Sequence, residues 1–451
     1  MEILIVGGGY VGMYTARRLE RLLRRGEATV TVVDSRGYMT YQPFLAEAAG
    51  GSVEPRHVIA PLPRVLRHTR VLTGKIVRVD HASRLAVFAP AGGPERVLRY
   101  DVLVMAAGSV SRVPPVEGLA EYGAGFKTVS EAVHLRNRVL GQLAVAASAD
   151  DLALRAAALT FVVVGGGFAG VEALAELQGL ADEAVRFHPG LDPAELRWVL
   201  VEATGRILPE LDERLGRWTL RALRRRGVDV RLHTRLASAA AGTVELDDGT
   251  ELAAGTLVWA AGVRPSPLGA AAGLPACQAG RIQVGADLAV TGVPGVFAAG
   301  DIAAVPDLSR PGEFCAPNAQ HAVRQSKVLA RNIAAFARGG QLKAYRHAYV
   351  GSVAGLGHHQ GVAQVYRIRL TGFAGWLAHR AYHLLWVPTL SHKARVLADW
   401  TLALFFRRET AQLTSLEHPA DDFRDACKRE DLLATAEKLA QVLTRFQGHC
   451  P

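Results

Sequence analysis

Two stretches of this sequence are built to grip a phosphate. Gly7-Gly8-Gly9-Tyr10-Val11-Gly12 and Gly165-Gly166-Gly167-Phe168-Ala169-Gly170 share the spacing G-x-G-x-x-G, and in each case the next apolar run ends in an acid, Asp34 and Glu202. The first glycine of such a loop allows a tight turn. The second lets a pyrophosphate approach the backbone, and the third permits a helix to pack closely on a strand, its N-terminus facing the anion. The acid accepts hydrogen bonds from ribose hydroxyls. The spacing alone is a weak pattern, and a glycine turn without a ligand is the bland alternative. Here both copies follow a strand and open a helix, which is the context that gives the pattern meaning. Two such loops imply two dinucleotides, most simply a flavin and a nicotinamide, with the flavin carrying the redox chemistry and the protein supplying orientation and electrostatics.

The elements that must position these loops repeat as well. Ile3-Leu4-Ile5-Val6 is a short buried strand, followed by a helix expected over 13–25 and a second strand, Thr29-Val30-Thr31-Val32-Val33. Phe161-Val162-Val163-Val164 and Arg197-Trp198-Val199-Leu200-Val201 reproduce that unit in mid-chain. A second echo joins residues 100–108 to residues 257–262, each a strand closing in small residues, and stretches 108–115 and 262–267 carry the Pro and Ser of linkers. Gly295-Val296-Phe297-Ala298-Ala299-Gly300-Asp301 is a later strand, again with an acid at its end. The expected fold is α/β. Two Rossmann-like dinucleotide-binding domains, the second inserted in the first, precede a C-terminal membrane-associated helical region. The expected division is 1–112 and 266–345 for the first domain, 113–265 for the inserted one (Rossmann core 158–265), 346–412 for the C-terminal region and 413–451 for a tail.

Composition narrows the alternatives. A chain of 451 residues with 49% hydrophobic residues suits two to three folded domains and excludes a disordered or collagen-like one. The four cysteines, Cys277, Cys315, Cys427 and Cys450, form no C-x-x-C pair, so a cysteine-based zinc or dithiol site is not expected, and the chain reads as reduced and intracellular. The formal charge of +10 favours anionic surfaces, nucleic acid or lipid, against the plainer alternative of a solvated basic face. The opening MEILIVGGG lacks the basic segment and long apolar core of a signal peptide, and no apolar run is long enough for a transmembrane helix.

At this level of detail the chain resembles the two-dinucleotide-binding-domain flavoproteins, and within them the type II NADH dehydrogenases (NADH:quinone oxidoreductases). The resemblance runs to about residue 412. It is carried by VDSRGYMTYQPFLAEAAGG, VVVGGGFAGVEALAEL, VEATGRILPELD, GVFAAGDIAAVPD, APNAQHAVRQSKVLARNI and HLLWVPTLSHKARVLADW. It implies one FAD per chain, bound by Gly7, Gly9, Tyr10, Val11, Gly12, Asp34, Ser35, Pro43, Phe44, Val77, Ala107, Gly108, Asp301, Ala319 and Gln320. It implies NADH as co-substrate, bound by Gly165, Gly167, Phe168, Gly170, Glu172, Glu202, Ala261 and Gly262. Glu172 matches the acid beside flavin and nicotinamide, with positioning as its role, and Gln320 and Arg324 fall at the quinone end. No metal is implied. The implied place is the cytoplasmic side of the cell membrane, held peripherally, and a homodimer stays open.

The sequence departs from the family pattern in three places. Residues 35–60 contain no cysteine, which excludes the thiol relay of the disulfide reductases in the same superfamily. Arg324 stands where a second glutamine is usual, and Val350 where a lysine often precedes the glycine matching Gly351. Both of the latter lie at the acceptor end, so a related flavoprotein with a soluble carrier or sulfide chemistry is the second reading. A non-catalytic NADH sensor on nucleic acid is the third, but no reader motif supports it.

Several other groups have plain readings. His379 and His383 at i, i+4 could pair on a metal but are surrounded by Trp and Leu. Arg17, Arg18, Arg21, Arg24 and Arg25 read as the wet face of the first helix. Glu172, two residues past Gly170, could merely complement a helix dipole. Residues 372–408 hold Trp376, Leu377, Leu384, Leu385, Trp386, Val387, Leu397, Trp400, Leu404, Phe405 and Phe406 beside Arg380, Lys393, Arg395, Arg407 and Arg408, with Pro388 between two short helices. That composition suits the headgroup boundary of an anionic membrane; a buried helical pair or a dimer interface is the alternative. An amphipathic helix is expected over 431–446.

Overall fold

A strand with no polar position must be covered on both faces, and the first strand is such a strand. The computed structural model describes residues 1–277, 279–347, 350–413, 420–421 and 424–426, so the helix expected over 431–446 and Cys427 and Cys450 lie outside the described residues. Residues 1–409 form one compact unit, and residues from 410 onward a second. In the first, β1 (Glu2–Val6) buries every residue after Glu2. It leads into α1 (Tyr10–Leu22), which starts earlier than the sequence suggests because Gly9 is its N-cap, and which stops before Arg24 and Arg25. β2 (Thr29–Asp34) follows, then β3 (Arg70–Asp80), β4 (Leu85–Pro90), β5 (Arg96–Arg99) and β6 (Val102–Met105).

The chain then leaves this sheet and builds another from β7 (Gly123–Gly125), β8 (Thr160–Val164), β9 (Arg197–Glu202), β10 (Asp229–Leu232) and β11 (Thr256–Trp259). It returns with β12 (Val296–Ala298). The first sheet has the order β12-β6-β1-β2-β3-β4-β5, and the second the order β7-β11-β8-β9-β10. All pairings in the second are parallel, as are those from β12 to β3 in the first. β1 and β8 each lie between a following strand and a later one. That is the switch point where α/β sheets bind ligands beyond the carboxyl ends of their strands. The second Rossmann unit is therefore inserted in the first. The two stretches expected to be linkers are not irregular. Ser109–Ser111 and Val263–Pro265 pair antiparallel, because the outgoing and returning chains cross side by side and satisfy each other's backbone groups.

Four helices complete what the site needs. α2 (Leu45–Ala49) is wholly buried, and α3 (Phe168–Ala184) opens at the second glycine loop. α4 (Ala319–Ala337) is N-capped by Asn318, whose Oδ1 accepts from the His321 amide at 2.9 Å. Beyond an antiparallel sheet of β13 (Gly351–Gly355), β14 (Gly361–Val365) and β15 (Ile368–Thr371) come α5 (Gly372–Trp386) and α6 (Leu390–Phe405). α5 lies hard against β14: a Cβ at Gly375 would meet the Gly361 carbonyl oxygen at 2.3 Å.

The C-terminal helices correct part of the sequence reading. Trp400 and Val387 were expected on the outer face, yet both are buried: Val387 caps the end of α5, and α6 turns His392, Val396 and Trp400 inward at i, i+4 spacing. Arg380 and Arg408 are not offered to solvent either. Arg380 sits between the rings of Trp376 and Trp400, 4.3 and 4.5 Å from their centroids, with Glu47 at 3.6 Å. Arg408 pairs with Glu176 at 3.1 Å and donates to the Gly50 carbonyl. Arg395 and Arg407 stay exposed, beside an apolar set of Phe373, Leu377 and Leu385 on α5 and Leu390, Leu397, Leu404 and Phe405 on α6, all more than half exposed. Among the described residues no helix is long and apolar enough to cross a membrane.

Candidate active site

The two glycine loops are near-copies in three dimensions. Gly7 and Gly165 have φ of +103° and +116°, and a Cβ on either would strike the backbone at Ala106 or Ala260. A Cβ at Gly12 would lie 1.8 Å from the Gly7 carbonyl oxygen, and one at Gly170 1.9 Å from that of Gly165. Only glycine permits these approaches. The middle glycines differ: a Cβ at Gly9 or Gly167 would meet no protein atom within 4 Å, and neither N-cap is filled by a side chain. The first-turn amides of α1 and α3 thus face open space, and that cradle has the shape and the donors that a pyrophosphate requires. Val11 is buried under Gly300, so any part it takes in such a site is through its backbone.

Each acid also ties down its own loop. Asp34 accepts from the amides of Gly8 at 2.8 Å, Arg36 at 2.9 Å and Gly37 at 3.1 Å. Glu202 accepts from Gly166 and Thr204, both at 2.7 Å. Carboxylates so held have fixed positions and further lone pairs, which suits the ribose role. Ser35 is exposed in the turn after Asp34, and Val77 stands at a bulge in β3 between Ile76 and Arg78. Ala107 and Gly108 follow β6, while Ala261 and Gly262 follow β11, at the same edge of each sheet as its glycine loop.

Between the two Rossmann units lies a cavity of about 540 Å3. It brings together Tyr10 and Pro43 of the first unit, Phe168, Glu172 and Gly262 of the second, and Ala319, Gln320 and Arg324 at the start of α4. Phe44, expected beside Pro43 in the flavin site, puts its ring into the core instead, edge-on to Tyr41, His383 and Trp400.

Glu172 is a cleft residue fixed from behind. Its Oε1 accepts from the Gly355 amide at 2.8 Å, and His379 Nε2 lies 3.3 Å away. His379 and His383 do not converge on a common point: the second approaches the Tyr41 hydroxyl at 3.2 Å, and burial together with His379 pushes its imidazole well below the usual histidine range. At the other end Gln320 donates to the Gly351 carbonyl at 3.1 Å, so β13 and α4 are stitched together. Arg324 donates to the Gln320 carbonyl at 3.1 Å, and its guanidinium stands 5.5 Å from the Trp386 ring centroid. Gln325, its neighbour, is spent on structure, accepting from the Gly300 amide at 2.7 Å.

Some lining residues have no sequence signal. Lys127 precedes a helix cap and matches no motif, but it donates to Ser109 Oγ at 2.9 Å, and Ser109 donates to Asp301 at 2.7 Å. Burial lowers the Lys127 ammonium, and Asp301 opposes the shift. Tyr41 and Tyr382 reach the cleft from segments distant in sequence. Cys315 has no reactive character: it is buried, and burial, assisted by Asp307, pushes its thiol up to about 11.

A pair of facing dinucleotide cradles around one mostly apolar cleft defines a two-dinucleotide oxidoreductase. The chain belongs to the pyridine nucleotide-disulphide oxidoreductase family, whose model matches residues 1–326, and within it to the type II NADH:quinone oxidoreductases. It is 30% identical to the type II NADH:quinone oxidoreductase NdhA of Mycobacterium tuberculosis, over 90% of this chain and 87% of that protein. The Ndh enzyme of the same organism is 29% identical over 99% of this chain and 95% of its own length. The structure of NDH2 from Plasmodium falciparum in complex with NADH superposes with a TM-score of 0.85, covering 91% of this chain and 99% of that one at 17% identity, a likeness of fold.

Proposed function

We infer that this protein is an FAD-dependent NADH:quinone oxidoreductase. One observation carries the reading: residues of both dinucleotide units and of the start of α4 line a single cleft, so a donor and an acceptor can be served from the same cavity. FAD, when bound, supplies the chemistry of taking a hydride and passing two electrons on. The protein's own part is placement. The loop at 7–12 with Asp34 and Asp301 holds the FAD, and the loop at 165–170 with Glu202 holds NADH. Segments 1–112 and 266–345 serve the first ligand and segment 113–265 the second. Glu172, pinned by the Gly355 amide, fixes where a nicotinamide can lie, which is the larger part of what hydride transfer asks of an enzyme. Gln320 and Arg324 face the acceptor. A guanidinium there donates to a quinone oxygen and stabilises the negative charge that reduction places on it.

The acceptor is a membrane quinone, reached by docking the exposed apolar stripes of α5 and α6 in an anionic membrane surface without spanning it. The test is direct. The purified protein should be yellow, NADH should bleach it anaerobically, and a short-chain quinone should restore the colour. A stable protein that takes up no FAD overturns the reading, and reoxidation by a soluble carrier but by no quinone changes the acceptor. Flotation with liposomes, wild type against Leu390→Gln/Phe405→Gln, tests docking separately.

A further inference from the structure

The basic run over 17–25 divides once the chain is folded. Arg18 turns to Ser326 Oγ at 2.8 Å, and Arg24 and Arg25 point into solvent. Arg17 and Arg21 line a second cavity of about 550 Å3, well away from the cleft. Arg64, Arg67 and His68 line it from the turn before β3, and Thr389, Leu390 and Ser391 from the start of α6. Four guanidiniums thus share one hollow with a single carboxylate, Glu20. Its Oε1 accepts from neutral donors, the His68 amide at 2.8 Å and the Thr69 hydroxyl at 2.9 Å, and its single charge leaves the guanidiniums in excess. Among the described residues none of the ion pairs involves Arg17, Arg21, Arg64 or Arg67.

So much like charge in one place is unfavourable unless something neutralises it, and arginine is the residue that matches phosphate oxygens in a fork. The surroundings say which phosphate. Arg17 donates to the Pro388 carbonyl at 3.0 Å and so holds the turn between α5 and α6 against the hollow. At its rim stands Leu390, 83% exposed, at the head of the apolar stripe of α6. Burial, with Arg64 next, lowers the imidazole of His392, two residues further on. A free anion would need the arginines but not the leucine.

We propose that this hollow is a headgroup site for an anionic phospholipid, its phosphate held by Arg17, Arg21, Arg64 and Arg67 and its acyl chains leaving past Leu390. The proposal rests on the membrane docking inferred above and adds to it a single saturable site that sets where the α5–α6 turn sits in the headgroup layer.

The test compares two charge-matched variants, Arg64→Gln/Arg67→Gln within the hollow and Arg24→Gln/Arg25→Gln outside it. Binding is measured to vesicles of phosphatidylcholine alone and with added phosphatidylglycerol. A basic residue near an anionic bilayer is worth about 1 kcal/mol, or roughly fivefold. The hollow variant should therefore lose about 25-fold on anionic vesicles and little on neutral ones, and the outer variant clearly less. Both should keep full NADH oxidation with a water-soluble quinone analogue, which shows that they are folded. Short-chain phosphatidylglycerol below its micellar concentration should bind wild type saturably at one per chain, and inorganic phosphate at the same concentration should not. Equal losses in the two variants would reduce the effect to diffuse charge and overturn the site, and equal binding of inorganic phosphate would make it a free-anion site. If wild type binds no vesicle at all, docking itself fails and takes this proposal with it. Vesicle binding that is untouched in the hollow variant overturns the site alone.

Discussion

The preference between NADH and NADPH follows from how Glu202 is held. Its carboxylate is clamped by the Gly166 and Thr204 amides at 2.7 Å, so it cannot swing away from a bound adenosine ribose. A 2′-hydroxyl would donate to it, and a hydrogen bond to a charged group is worth about 1.5–3 kcal/mol. A 2′-phosphate cannot donate once ionised and brings like charge close, at a cost of about 1–4 kcal/mol at 4 Å between surface-like and water-like dielectric. Arg206, four residues on, offers little relief, because its Nη2 is already donating to the carbonyls of Leu211 at 2.5 Å and Pro209 at 3.3 Å. A net discrimination of about 2–4 kcal/mol corresponds to roughly 30- to 700-fold in kcat/KM. Glu202→Gln should shrink this to within about tenfold. It should also weaken NADH itself, since the Gly166 and Thr204 amides donate to different carboxylate oxygens and the NH2 of a glutamine would face one of those N–H groups. Steady-state kinetics with both donors and one quinone give the ratio. Wild-type efficiency equal for the two donors, or a ratio unmoved by Glu202→Gln, would refute the placement of this carboxylate at the ribose.

Glu172→Gln keeps an oxygen for the Gly355 amide, so FAD content should hold while stopped-flow reduction by NADH slows about three- to tenfold or NADH binds more weakly; an unchanged half-reaction would restore the dipole explanation. Arg324→Gln should alter quinone KM or kcat and leave reduction by NADH intact, measured in the same two half-reactions, and the reverse pattern would move Arg324 away from the acceptor. Arg380→Ala removes the cation between Trp376 and Trp400 and leaves Glu47, whose carboxyl burial already pushes up, with the Trp400 indole at 2.6 Å; a loss of about 2–3 kcal/mol and roughly 3 °C in Tm is expected by calorimetry. Stability should also decline in acid. Burial depresses His321, His347 and His392, His347 to about 4, so the stability that their neutral forms contribute is complete above about 6.5 and drains away as pH falls toward the folded values. A Tm flat from pH 7 to 4.5 would contradict this.

The glycine loops, the acids that close them, and the insertion of one Rossmann unit in another were legible in the residues alone. Their chemistry is local: a φ of +103° at Gly7 or a 1.8 Å approach at Gly12 admits one residue type, so the type reports the backbone. The apolar runs of β1 and β8 report burial on both faces in the same way. Other features depended on which distant segments meet. Phe44 and Pro43 are adjacent, yet one is core and the other lines the cleft, because α2 packs under the C-terminal helices. Lys127 enters the site only because the two crossing strands bring Ser109 and Asp301 to it. The sequence of α5 and α6 shows aromatic and basic residues in abundance, but not that Arg380 and Trp400 turn inward to a buried Glu47 while the leucines turn out. Nor does a run of arginines on one helix disclose that two of them will share a hollow with two more from the turn before β3. Local backbone demands are written residue by residue; the pairing of buried charge is decided only when elements far apart in the chain close on one another, because an ion's cost depends on everything that displaces its water.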